Sequence, residues 1–258
     1  MSSPTLAGFL ARTSSPLNDR PDGELVREYA ATGSETAFAE LARRFAPMVW
    51  GVCRRTVGHR QHAEDAFQAA FVVLARKAGS VRPPAAIGGW LHTVAVHTSL
   101  RARTLADRRR RRHRPLTSDP TAPMTPEPTD PEMLRALDEE IARLPETQRA
   151  AVALCELGGV SRTEAATRLG IAEGTLSSRL AAARKTLAAR LRGRGIALAA
   201  ALALLPAIAD AVPLVSSSAS DAVSSLADGA IRAMFLKKLK WTAVAITAVL
   251  TLTVAGGW

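Results

Sequence analysis

Apolar residues return every three or four positions over much of this chain, the period of a helix that buries one face. In FAELARRFAPMVWGVCRRTVG, the residues Phe38, Leu41, Phe45, Val49, Val52 and Cys53 share one stripe. Pro47 is expected to kink or restart that helix, because proline lacks a backbone donor and crowds the preceding turn. HAEDAFQAAFVVLARKAG repeats the period with Phe67, Phe71 and Leu74 on one stripe, while Asp65 and Gln68 fall on a different face. Two prolines and two glycines in SVRPPAAIGG break the pattern, and WLHTVAVHTSLRARTLADRRRRRHR resumes it and ends in a dense arginine run. Helical patterning therefore runs from Glu24 to about Arg112, after a Ser-, Pro- and Gly-containing stretch at 1–22 that reads as a flexible arm.

Residues 115–131, PLTSDPTAPMTPEPTDP, carry a proline every few positions and no apolar period, which predicts an extended linker. A second helical block follows to about Arg194. Within it, Ser161 and Glu164 have the spacing of a capping box, fixing a helix start, and Gly170 can take the left-handed turn that ends that helix. The next helix is expected near Gly174, with Leu176, Leu180, Ala183, Leu187 and Leu191 on its buried stripe. Two short helices around a glycine corner predict a helix-turn-helix, the motif that sets its second helix in the DNA major groove. Thr175, Ser177, Ser178 and Arg179 then stand at the groove end of that helix, with Arg184 and Lys185 adding cationic reach. The fold class expected is all-α: two small helical domains, the proline-rich linker and an apolar helical C-terminal tail.

Composition narrows the partners. The formal net charge of +11 over 258 residues points to a polyanion, either nucleic acid or an acidic membrane surface. Aromatics are only 4 % of the chain, and a core of alanine and leucine favours helices over strands. Cys53 and Cys155 lack CxxC spacing and suit a reducing cytoplasm as small apolar residues. His92 and His97, five apart, fall on different helix faces, so neither metal nor other cofactor is expected. No long apolar core begins the chain, so no secretory signal is expected. A DNA-processing enzyme such as a recombinase would need an activated Ser or Tyr, or clustered carboxylates. Tyr29 is the only tyrosine and sits in no such setting, so catalytic residues and a small-molecule substrate are not expected.

The order AEDAFQAAF, basic helix, proline linker, then LPETQRAAVALCELGGVSRTEAATRLGIAEGTLSSRLAAARKTL resembles the bacterial RNA polymerase sigma factors of the extracytoplasmic-function (ECF, sigma-70-like) group, over roughly residues 24–192. The resemblance implies a region 2 domain at 23–114 and a region 4 domain at 132–194. It implies that Asp65, Gln68 and Phe71 dock on the clamp helices of the RNA polymerase core. Trp90, His92, His97, Arg101 and Arg103 would engage the −10 strand, where unpaired bases take stacking surfaces and cations. Arg149, Thr175, Ser177, Ser178, Arg179, Arg184 and Lys185 would serve the −35 duplex. Arg108 to Arg112 would hold phosphates without reading sequence. Promoter DNA and polymerase core are the implied partners, with room for a separate anti-sigma protein. The sequence departs from the family pattern at Ala69, His97, Ala172 and Ser177. The competing reading is a helix-turn-helix regulator without polymerase affinity, which would have no use for the 63–71 motif.

The tail goes beyond that resemblance. WTAVAITAVLTLTVAGGW, residues 241–258, carries no charge and as a helix would span roughly 27 Å, close to a ~30 Å hydrocarbon core. Trp241 and Trp258 stand at its ends, and Lys237, Lys238 and Lys240 precede it, which predicts a single span with the bulk of the protein on the cytoplasmic side of the inner membrane. The extension at 195–240 includes the apolar run 196–215, which contains Pro206 and Asp210. An Asp at the bilayer centre costs about 2.5–3.5 kcal/mol, so that run is expected to pack on protein or lie at the membrane surface.

Overall fold

Glycines in left-handed turns punctuate the first block. Helix α1 (Asp22–Thr32) ends at Gly33 with φ 69°. Helix α2 (Glu35–Val57) opens where the Ser34 hydroxyl oxygen accepts from the Ala37 amide at 3.3 Å, and ends at Gly58 with φ 76°. Helix α3 (Arg60–Lys77) follows, and α4 (Ile87–His113) closes the block. These ranges come from a computed structural model that describes residues 20–113, 130–205 and Ala227. All described residues in regular structure are helical. The arm at 1–19, the linker positions 114–129 and the candidate span at 241–258 lie outside the described residues. Among the described residues, no helix is long and apolar enough to cross a membrane.

The expected stripes are the core. Leu41, Phe45, Val49, Val52 and Cys53 of α2 are buried against Phe67, Phe71 and Leu74 of α3, while Phe38 packs at the margin. Trp50 meets Phe67 edge-on, with centroids 5.8 Å apart. Two expectations change. Helix α2 does not restart at Pro47 but continues through it as one element, with the flanking Phe45, Ala46, Met48 and Val49 all held in the core. Gly88 and Gly89 lie inside α4 and do not break it. Both sit where another chain segment comes too close for a side chain: a Cβ on Gly88 would lie 2.9 Å from the Phe45 ring, and one on Gly89 would lie 2.8 Å from the Ala150 backbone nitrogen.

The second block comprises α5 (Asp130–Ala142), α6 (Glu146–Val152) running into a π-turn at 153–157, α7 (Arg162–Leu169), α8 (Glu173–Arg192) and α9 (Leu198–Ala203). The Ser161 hydroxyl oxygen accepts from the Glu164 amide at 3.2 Å, and Gly170 takes φ 65°, so the helix-turn-helix forms from its local signals. Helix α9 packs against α5 and α8 and buries Ala201, so residues 198–203 of the apolar run pack on protein. Arg194 fastens that end, donating to Glu139 at 3.2 Å and reaching Glu140 at 2.9 Å.

The two blocks also pack on each other, which the proline linker gave no reason to expect. Helix α4 lies on α6, α2 on α5, and α1 on α7.

Candidate nucleic-acid interface

On α8, the Leu176, Leu180, Ala183, Leu187 and Leu191 stripe is buried. That leaves Thr175, Ser178 and Lys185 exposed, with Ser177 and Arg179 half-buried beside them. Ser178 donates its hydroxyl proton to the Thr175 carbonyl at 2.9 Å, so its oxygen faces outward as an acceptor. Thr163 of α7 donates to Glu173 at 3.2 Å and ties the two helices at their corner. Arg184 is exposed but its Nε donates to Glu156 at 3.1 Å, so reaching a phosphate means exchanging one anion for another. Arg149 does not belong to this surface. Its guanidinium donates to the Ala142 and Leu144 carbonyls at 3.0 and 3.1 Å, closing the C-terminal end of α5.

The residues expected at the −10 strand divide into two groups. Arg101 is exposed and Arg103 half-buried, its Nε 3.9 Å from Asp107; Arg108 and Arg109 are exposed beyond them. His97 is half-buried. Trp90, by contrast, keeps only 8 % exposure and His92 none. Neither ring is presented to solvent in this conformation, because Trp90 belongs to the hydrophobic core and His92 meets Asp138 of the second block.

On α3, Asp65 and Gln68 are half-buried at the surface, and burial pushes the Asp65 carboxyl up, against the pull of His62. Phe71 is not available for docking. It is buried, with its ring 5.1 Å from Phe67 and 6.5 Å from Phe38, both edge-on. In a chain with few aromatics, all three rings are used for the core.

Residues not foreseen from the sequence hold the blocks together. Asp138 of α5 is wholly buried and accepts two bonds from Arg55 of α2, Nε to Oδ2 at 2.9 Å and Nη2 to Oδ1 at 3.0 Å. His92 completes the set, its Nε2 3.1 Å from Asp138 Oδ1. Against the cost of full burial, Arg55 and His92 hold the Asp138 carboxyl down at about 2. Burial in turn pushes His92 below its ordinary value, outweighing the pull of Asp138, so a neutral imidazole donates its Nε2 proton. A second buried carboxylate, Asp22 of α1, meets Arg44 of α2 at 2.6 Å and Arg168 of α7 at 3.1 Å. The Arg168 guanidinium also lies over the Phe45 ring at 5.2 Å. One signal could have found them: Asp138 interrupts the apolar sequence of Leu134, Leu137 and Ile141, and Arg168 stands beside Leu169 at the buried end of α7.

The family profile for Sigma-70 region 2 matches residues 41–113, and that for Sigma-70, region 4 matches 134–187. The chain is 35 % identical over 165 residues to the ECF RNA polymerase sigma factor SigM of Mycobacterium tuberculosis (strain ATCC 25618 / H37Rv), covering 62 % of this chain and 79 % of that protein. The chain belongs to the ECF sigma factors. Its function is therefore in RNA polymerase-directed transcription initiation. The ECF sigma factor SigE of Mycolicibacterium smegmatis is 30 % identical over 168 residues, covering 62 % of this sigma factor and 63 % of that one. Among solved structures, CnrH in complex with the cytosolic domain of CnrY is 21 % identical with a TM-score of 0.31, covering 67 % of this chain and 97 % of that one.

The buried triad predicts that stability falls in acid. An unfolded imidazole takes up a proton near 6.5, whereas folded His92 resists it, so stability is lost as pH falls below 6.5. Asp138 adds a second loss, because its contribution is complete above the ordinary value of 3.8 and disappears as pH falls toward about 2. Thermal unfolding followed by circular dichroism between pH 7.5 and pH 5 (on the order of the imidazole range) should show a falling midpoint. The His92→Gln variant, which keeps an N–H donor, should flatten that first decline.

Proposed function

We propose that this sigma factor divides its labour at the linker 115–131. Region 2, over 23–114, would dock on the polymerase clamp helices through the α3 surface carrying Asp65 and Gln68 and would grip the −10 strand with Arg101 and Arg103. Region 4, over 132–194, would read the −35 duplex with Thr175, Ser177, Ser178 and Arg179, while Lys185 and Arg184 meet phosphates. The polymerase supplies the chemistry. The observation that carries this reading is the exposure of the polar N-terminal face of α8 opposite its wholly buried leucine stripe. A helix-turn-helix so presented needs only its register on the duplex fixed, and backbone phosphates do that. Arg108 and Arg109 extend the cationic track beyond the −10 face.

In vitro transcription with core enzyme and a promoter library tests both halves. Asp65→Lys should weaken core binding at least several-fold in a pull-down or anisotropy titration, while binding of region 4 to −35 duplex stays unchanged. Arg179→Ala should cost about 1–3 kcal/mol and relax preference at one −35 position if the guanidinium reaches a base edge. An unchanged −35 preference would remove Arg179 from the readout.

The C-terminal tail supports a further layer of the proposal. Residues 241–258 carry no charge and, as a helix, would span roughly 27 Å of a ~30 Å hydrocarbon core, with tryptophans at both ends and lysines before them. We read them as a tether that holds the factor at the cytoplasmic face of the inner membrane and restrains it there, in place of or beside an anti-sigma protein. After carbonate extraction the full chain should stay with membranes, and a chain ending at Arg194 should be released. A full-length chain found wholly in the soluble fraction would rule the tether out.

A further inference from the structure

We propose that Glu156 sets specificity at the −35 surface: it neutralises and fixes Arg184, so that this cation serves a phosphate at one place on the duplex and adds little to binding anywhere else. The inference rests on the reading above that Arg184 meets DNA phosphates, and adds to it a role for the carboxylate behind that arginine. The backbone places this carboxylate. At 153–157 the chain leaves α6 in a π-turn, a distortion that re-aims side chains relative to a regular helix. The turn closes where the Val160 amide donates to the Leu154 carbonyl at 3.0 Å. Gly158 fits there because a Cβ would lie 2.9 Å from that same carbonyl oxygen, and Gly159 takes φ 64°. Glu156 is thereby brought against α8, where its Oε1 accepts from Arg184 Nε at 3.1 Å and from Nη2 as well.

The two partners are unequally exposed. The Glu156 side chain keeps 16 % exposure and that of Arg184 46 %, so the carboxylate lies inward and the guanidinium stands at the rim. A guanidinium carries five N–H donors in a fixed fork, and the two contacts to Glu156 leave the others for an anion from outside. A pair this exposed contributes little to stability, so folding alone is a poor reason to hold it. Its effect on DNA is larger. Attraction to phosphate regardless of sequence comes from positive charge, and Glu156 cancels that of Arg184. Lys185 beside it is exposed and, as a point charge on a flexible stem, follows phosphates wherever they stand. Arg184 cannot, because its fork is held. What it retains is a charge-assisted hydrogen bond, open only to a phosphate that arrives in line with the fork. A correctly seated duplex gains that bond and a misplaced one does not. Specificity is a difference of affinities, and Glu156 enlarges it by weakening the wrong complex.

Holoenzyme assembled from core and the full chain tests this, titrated with a promoter duplex and with a random-sequence duplex of equal length. Glu156→Gln removes the charge and keeps the length of the side chain. Affinity for the random duplex should rise roughly three- to ten-fold, and its salt slope should steepen by about 0.9, because Arg184 is freed for one more phosphate. Promoter affinity should change less, so the ratio of the two falls. Glu156→Asp keeps the anion and should hold the ratio near that of the unaltered chain; a fall in both variants would overturn the proposal in favour of packing. In an Arg184→Ala background, Glu156→Gln should change neither affinity. Should Glu156→Gln lose helical content by circular dichroism, Glu156→Met decides on the same readouts. An unchanged ratio and salt slope with Glu156→Gln, or an equal change in the Arg184→Ala background, would overturn the role of Glu156. Arg184→Ala with no loss of promoter affinity would instead overturn the reading of Arg184 as a phosphate contact.

Discussion

A carboxylate removed from water must be neutralised where it stands, and Asp138 is the group on which that constraint falls hardest. It is wholly buried between α2, α4 and α5, and its two oxygens are satisfied by the Arg55 fork and the His92 ring. Three consequences follow from this one requirement. Helix α5 is pinned to region 2, although the sequence places it beyond the linker. The Nε2 of His92 is committed to Asp138, while burial keeps the imidazole below its ordinary value against that carboxylate's pull. Arg55, a residue of a basic stretch that could have faced solvent or nucleic acid, is committed to the interior. Asp22 repeats the logic on the other side of the joint with Arg44 and Arg168.

Such pairs add little net stability, since the desolvation of both ions offsets most of their attraction. Their value is directional. A joint made only of alanine and leucine could slide, whereas one that buries two carboxylates has a single register in which every charge is answered. Interfaces between domains of one chain are commonly more polar than obligate ones, and this one buries two carboxylates together with their cations. The polar N-terminal face of α8 stays outside the joint, with Thr175 and Ser178 exposed.

The scarcity of aromatics explains two of the corrections. With so few rings available, Phe71 is used in the Phe38–Phe67–Phe71 cluster and Trp90 is taken into the interior near the start of α4. Family position alone assigned them to partners. Packing assigned them to the core, and the polar neighbours Asp65, Gln68, Arg101 and Arg103 are what remain at the surface. Arg149 follows the same rule from the other direction, its guanidinium drawn to the carbonyls that the end of α5 leaves unpaired.

By itself, the sequence determined everything set by local chemistry. The helices follow from the three-to-four period, the helix-turn-helix from Ser161 and Gly170, and the buried and exposed faces of α8 from its leucine spacing, because each depends on residues within a few turns of one another. Tertiary structure decided what depends on residues far apart in the chain. Pro47 does not break α2 because neighbours from α3 and α4 hold both halves in the core. Gly88 and Gly89 stand in the first turn of α4, at positions where Phe45 and Ala150 come too close for a Cβ. Arg55 meets Asp138 across 83 positions and Arg168 meets Asp22 across 146. No periodicity reaches that far, and only the folded chain decides which of its many charged residues are buried together.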